Sequence, residues 1–222
     1  MKQFRNNLID LQKIEQINSS SGRTYRTPDG HQYPSVTTVL GKMMDKSGIE
    51  QWRDLIGHEE ADRITRTAGT RGSIMHSLCE NLLLNKPIDK KHIMPFNRWL
   101  YSQMEEVILE HVDDVVVLEG GLYSDKLKIA GTVDLAAEFD NVKSIIDFKS
   151  ARRKKPIEHI ESYFLQTTAY SYMLWERTGL RYEQIVLIIA VEEERKAQVI
   201  KADVKDWIKK TADICRRYHD TH

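Results

Sequence analysis

Apolar positions fall into two textures along the chain. Up to about residue 112 they recur mostly at three- and four-residue intervals, the spacing that gathers them on one face of a helix. Residues 2–17 show this spacing and predict a helix. Ser19-Ser20-Ser21-Gly22 is loop-like, and Thr27-Pro28-Asp29-Gly30 is turn chemistry. Ser35 is placed to cap a short helix ending near Met44. Residues 48–84 predict mainly helix, interrupted at Gly69 and Gly72. Pro95 suits the first turn of a helix running to about His111.

After that the runs become short and rich in β-branched residues. Val115–Leu118, Ile129–Phe139 and Ser144–Phe148 predict three strands of an antiparallel meander, separated by Gly120-Gly121 and by Asp140-Asn141. Helical spacing returns over 157–178. Ile185–Val191 predicts a strand with a hairpin partner near 197–202, and a last helix covers about 203–218. This order implies an α/β fold, a central mixed sheet flanked by helices with an N-terminal helical extension. A single domain over 1–222 is expected: mainly helical to 112, sheet and motif helix over 113–205, and a C-terminal helix over 203–222.

Composition narrows this little. The chain is 41% hydrophobic and 30% charged, which suits one sizeable core. Lys+Arg and Asp+Glu both total 33, so any nucleic-acid contact must come from a local basic surface. Two cysteines make no disulfide framework, which points to a reducing compartment. No signal peptide or membrane-spanning stretch is evident, so a soluble intracellular protein without membrane contact is expected.

The candidate chemistry starts at Asp147-Phe148-Lys149. On a strand, Asp147 and Lys149 share one face and Phe148 takes the other. A carboxylate beside an ammonium suits metal-assisted phosphodiester hydrolysis: the acid fixes a hard cation and the ammonium steadies water or developing charge. The pattern alone is weak. Asp89-x-Lys91, Asp203-x-Lys205 and the near match Glu194-x-Lys196 recur and read as solvated surface. What sets Asp147 apart is Asp134, an acid inside the apolar run of the preceding strand. Burying it unpaired costs several kcal/mol. A cation shared with Asp147 would relieve that cost; a turn cap or an arginine partner is the alternative.

Other candidates are weaker alone. Gln166 and Tyr170 lie four apart on one helix face, able to reach Lys149 or a phosphate, though a polar edge of an ordinary helix has the same spacing. His76, with Glu80 one turn on, is a candidate Mn²⁺ or Mg²⁺ ligand or a plain surface histidine. Arg152-Arg153-Lys154-Lys155 follows the strand as a candidate phosphate grip, with Arg71 and Arg98 as lesser ones. Trp99, Tyr101 or Tyr163 could stack on a base, with core packing the plainer role. A zinc site from His76, Cys79, Cys215 and His219 is formally possible, with buried thiols the alternative.

Taken in order, His76, Gly131-Thr132-Val133-Asp134, Asp147-Phe148-Lys149 and Gln166-x-x-x-Tyr170 resemble the PD-(D/E)XK nuclease superfamily, in its RecB-type exonuclease branch. Glu119, Tyr123-Ser124, Ile129 to Asp134 and the early Tyr33-Pro34-Ser35-Val36-Thr37 are similar to the mitochondrial genome maintenance exonucleases and their phage relatives, so the likeness spans about 33–175. Gly-Thr-Val-Asp stands where the superfamily name has Pro-Asp.

The resemblance implies a restriction-endonuclease-like core. It also implies a site in which His76, Asp134, Asp147 and the Phe148 carbonyl bind metal, and Lys149 assists the water. Gln166 and Tyr170 would support Lys149 and the DNA backbone, and Glu119 would touch a second metal or water. The cofactor expected is Mg²⁺ or Mn²⁺, without the four-cysteine iron–sulfur cluster of some branch members. The activity expected is exonucleolytic, on free ends, single strands or flaps, in replication, repair or recombination, beside a protein of those processes. A structure-selective endonuclease and a silent DNA-end-binding module are the alternatives. The expected setting is bacterial or phage-infected cytoplasm, ahead of mitochondria.

Overall fold

The computed structural model describes residues 2–222. Its centre is a five-stranded sheet of β4 (Val112–Ser124), β5 (Ile129–Phe139), β6 (Val142–Ala151), β7 (Gln184–Val191) and β8 (Gln198–Asp203), in that spatial order. Only β6 and β7 pair in parallel; the other neighbours are antiparallel. A parallel pair needs a crossover, and α5 (Glu161–Thr178) supplies it. This mixed sheet with helices on both faces is the restriction-endonuclease-like architecture expected from the sequence.

Alternation along the strands divides the core. Phe148, Val186 and Ile188 face a layer made by α3 (His58–Leu83) and α4 (Pro95–His111), through Met75, Leu100 and Met104. On the opposite face Ile145, Val133 and Ala136 meet α5, α6 (Val204–Thr221) and α1 (Val36–Met43). Ser35 caps α1 by accepting the Thr38 backbone N–H at 2.9 Å. Pro95 occupies the first turn of α4.

The N-terminal region departs from expectation. Residues 2–17 form no helix. Phe4 is buried, and the backbone of 5–9 hydrogen-bonds to β4, with Asn7 N to Val115 O at 2.8 Å and Ile9 N to Val116 O at 3.0 Å. Residues 15–34 then form a three-stranded sheet of β1 (Glu15–Ser19), β2 (Gly22–Arg26) and β3 (Gln32–Pro34). An amphipathic stretch this short is marginal as an isolated helix, so an open strand edge and a core pocket for Phe4 outcompete it. The helical extension therefore begins at α1 and continues through α2 (Ser47–Ile56) and α3. Gly69 and Gly72 do not interrupt α3, and Gly120-Gly121 lies inside β4 instead of ending it.

Candidate active site

The site forms where β5 and β6 part. Their ladder runs up to Leu135↔Ile146 and stops. The next residues, Asp134 and Asp147, do not pair; instead the Phe148 backbone N–H donates to Asp134 Oδ2 at 2.8 Å. A buried carboxylate thus satisfies the donor that the ladder abandons. Residues from both helical layers reach this split.

From α3 comes His76. Its Nδ1 lies 3.3 Å from Glu119 Oε1 and 3.5 Å from Asp134 Oδ1. Its Nε2 is 3.1 Å from the Phe148 carbonyl, which can only accept, so Nε2 carries a proton and Nδ1 faces the acids. Glu119 sits opposite Asp134 across the β4–β5 pair, in left-handed backbone at φ 47°. That conformation costs of order 1–3 kcal/mol for a side chain of this kind and persists where surroundings enforce it. His76, Glu119 and Asp134 each present one ligand atom, all within 4.8 Å of one another.

From α5 come Gln166 and Tyr170. Asp147 and Lys149 point to this face and Phe148 to the other, as strand alternation predicts. Gln166 Nε2 donates to Asp147 Oδ1 at 3.2 Å and lies 3.5 Å from the Tyr170 hydroxyl. Lys149 Nζ is 2.5 Å from Asp147 Oδ2, an oxygen that is buried and finds no well-angled hydrogen bond. Tyr163 lies beneath Lys149 Nζ, 5.4 Å from ring centre to ammonium. Tyr170 packs against Gly131, where an added Cβ would stand 2.9 Å from Tyr170 Cε1.

The electrostatics follow from this crowding of charge away from water. Burial raises the pKa of Asp134 despite His76, Lys149 and the Phe148 N–H. Burial likewise pushes Asp147 up to about 6, with Lys149 opposing. Burial favours a neutral His76 ring, but Glu119 and Asp134 outweigh it and raise His76 to about 9. Burial also opposes charge on Lys149, and Asp147 and Asp134 more than offset that. Three acids face one ammonium and one imidazole, and the buried Asp147 Oδ2 among them is met by the Lys149 ammonium alone. Oxygen donors with one imidazole fit a hard or borderline divalent cation. His76 also meets the usual outer-shell condition, since its second nitrogen is fixed by a carbonyl.

The model of the PD-(D/E)XK nuclease superfamily matches residues 94–222. The chain belongs to the PD-(D/E)XK nuclease superfamily. It is 28% identical over 172 residues to human mitochondrial genome maintenance exonuclease 1, covering 72% of the chain and 49% of that protein. Its Xenopus tropicalis counterpart is 27% identical over 147 residues, covering 62% and 42%. The chain thus spans about half the length of the curated relatives it matches. A solved Eubacterium rectale chain, provisionally named an exonuclease, superposes with a TM-score of 0.43 at 9% identity, covering 67% of this chain and 66% of that one.

Within this nuclease domain the expected residues divide. His76, Asp134, Asp147, Lys149, Gln166 and Tyr170 converge on the split. Glu119 stands with His76 and Asp134, while the Asp147 carboxylate is engaged by Gln166 and Lys149. The Phe148 carbonyl faces His76. The basic run lies on the exposed rim, largely neutralised by the β7–β8 turn. Arg152 and Arg153 bond Glu193 at 3.1 and 3.0 Å, and Lys154 lies 3.5 Å from Glu194. Lys155 Nζ sits over the Tyr163 ring. Arg71 bonds Glu192 at 2.9 Å and stacks on Phe96.

Other expectations fall away. Tyr101 is fully buried in the α4 core and cannot stack on a base; Trp99 and Arg98 are exposed. Cys79 and Cys215 are buried in clusters on opposite faces of the sheet, which rules out the joint zinc site. Tyr123 and Ser124 are structural. Ser124 Oγ donates to Glu176 at 2.5 Å, and Arg177 covers the Tyr123 ring, tying the β4–β5 turn to α5. The other Asp-x-Lys matches are surface groups: Asp89 pairs with His92, Asp203 with Lys205, and Lys196 with Glu106. Among the described residues no helix is long and apolar enough to cross a membrane.

Proposed function

We propose that the chain is a DNA exonuclease that hydrolyses phosphodiester bonds from free ends with Mg²⁺ or Mn²⁺, favouring single strands or flaps. The observation carrying this is the convergence of the His76–Glu119–Asp134 cluster with the Asp147–Lys149 pair at one strand split. His76, Glu119 and Asp134, with Asp147 and the Phe148 carbonyl beside them, would hold a divalent cation, which supplies Lewis acidity at the phosphate and an acidified water. Lys149 aims its ammonium at the charge that develops on the phosphate. Asp147 holds Lys149, and Gln166 fixes the second Asp147 oxygen. A groove of about 570 Å³ along α3, lined by Gly69, Gly72, Ser73 and His76, gives a strand access to the cluster. Glu80 lines its far end.

The preference for ends draws on the names of the relatives. In this account the enzyme serves replication, repair or recombination in bacterial or phage-infected cytoplasm, beside a protein of those processes. Linear and circular single-stranded DNA with Mn²⁺ test the reading. Loss of the linear form with the circle intact supports it. Cutting of the circle at a comparable rate makes the chain an endonuclease, and no cutting of either removes the enzymatic reading.

A further inference from the structure

The N-terminal strap does more than close a sheet edge. Residues 8–14 cross β4 above Gly120 and Gly121, so closely that a Cβ on Gly121 would stand 2.7 Å from Ile14 Cγ1. Beside this crossing lies a cavity of about 440 Å³, with Leu8, Leu11 and Ile14 on its apolar side. Glu119 borders both this cavity and the groove along α3, which places the cavity beside the His76–Glu119–Asp134 cluster.

The polar side of the cavity centres on one buried hydroxyl, with exposed Gln12, Lys13 and Gln16 around it. Tyr25 is only 3% exposed, and its hydroxyl lies 3.2 Å from Gln16 Oε1 and 3.4 Å from Thr132 Oγ1. Thr132 precedes Asp134 by two residues, on the same face of β5. A polar wall thus runs from the cluster into the cavity. Gln12, on the exposed rim, accepts from the Tyr123 hydroxyl at 3.0 Å and, among the described residues, keeps its NH₂ group free toward solvent. Lys13 adds a cation at the mouth.

We propose that this cavity is a subsite for one unpaired terminal nucleotide of a DNA strand, adjoining the scissile phosphate. The proposal rests on the nuclease reading above. Leu8, Leu11 and Ile14 form a surface for a base, Gln12 and Tyr25 meet its polar edge or the sugar, and Lys13 meets a phosphate. The volume falls in the lower part of the roughly 300–1,000 Å³ range of small-molecule sites.

The test uses the full chain without divalent metal and a single-stranded oligothymidylate carrying 2-aminopurine at one end, each end in turn, or internally. In the wild type the fluorescence changes on binding for one terminal position and not for the internal one. Leu8 is 48% exposed, so Leu8→Trp fills the cavity from its outer edge without touching the metal cluster. It abolishes the signal and weakens binding by about tenfold, the order expected from one lost stacked base. Tyr25→Phe, which keeps the buried ring, weakens binding by about threefold or more. Absence of an end-specific signal in the wild type, or affinities within about twofold for both variants, overturns the subsite. Cleavage of the same oligomer with Mn²⁺ separates the two claims. Wild-type cleavage alongside unaltered variants leaves the nuclease standing and removes only the subsite.

Discussion

The backbone N–H of Phe148 donates to Asp134 Oδ2 at 2.8 Å, at the point where the β5–β6 ladder ends. One carboxylate therefore holds the strand split open with one oxygen and faces His76 with the other. Architecture and chemistry share a residue.

Asp134→Asn separates those roles, because an amide oxygen still accepts from Phe148 while the charge is gone. The variant is expected to fold and to lose at least about a hundredfold in nuclease activity. Mn²⁺ at about 100 times its Kd stabilises a one-site binder by about 2.7 kcal/mol, which raises the melting temperature by roughly 5–10 °C for a chain of this size. Differential scanning fluorimetry is expected to show that rise in the wild type and not in Asp134→Asn. Equal shifts in both proteins place the cation elsewhere.

Gln166 touches Asp147, outside the His76–Glu119–Asp134 cluster. Gln166→Ala is expected to lower kcat by about 10–100-fold while the Mn²⁺ titration stays close to wild type. A weakened Mn²⁺ affinity with kcat preserved contradicts its role in positioning Asp147 and Lys149.

Gly131 leaves room for the Tyr170 ring, with the hydroxyl 3.1 Å from where a Cβ would sit. Gly131→Ala forces β5 and α5 apart and is expected to cost about 1–3 kcal/mol of stability, with activity falling as Tyr170 leaves Gln166. Urea denaturation measures the first effect. A variant as stable and active as wild type shows that the contact is slack.

Glu192, Glu193 and Glu194 occupy Arg71, Arg152, Arg153 and Lys154, the cations best placed for phosphates. A DNA backbone must displace these carboxylates; the pairs to Glu193 and Glu194 are exposed and weak enough to yield, while the half-buried Arg71–Glu192 pair yields less readily. Converting all three to glutamine is expected to tighten DNA binding by roughly threefold or more and to steepen its salt dependence. Looser binding in a fluorescence anisotropy titration means the carboxylates orient the cations instead of competing.

Much of the core was legible because its signals are local. Alternation put Asp147 and Lys149 on one face, Pro95 opened α4, and the Ser35 hydroxyl capped α1. The helix over 2–17 failed because its apolar positions fit equally well as a strap, and only β4 and the pocket for Phe4 decide between them. Glu119 was legible only through resemblance, since its partner His76 lies 43 residues away and no short motif joins them. The Arg152–Lys155 run looked free because its counter-charges sit about forty residues later, in the β7–β8 turn. Tyr25 and Thr132 carry no motif of their own, and β2, which brings Tyr25 to Thr132, lies between a loop-like and a turn-like stretch with no element signal.

The central claim is that Lys149, held by Asp147, assists phosphodiester hydrolysis at a metal site. End-labelled single-stranded DNA incubated with the wild type and with Lys149→Ala, in Mn²⁺ and in EDTA, tests it most directly. The account predicts degradation only by the wild type with Mn²⁺, and comparable DNA binding by both proteins. Degradation by Lys149→Ala at the wild-type rate, or by the wild type in EDTA, contradicts it.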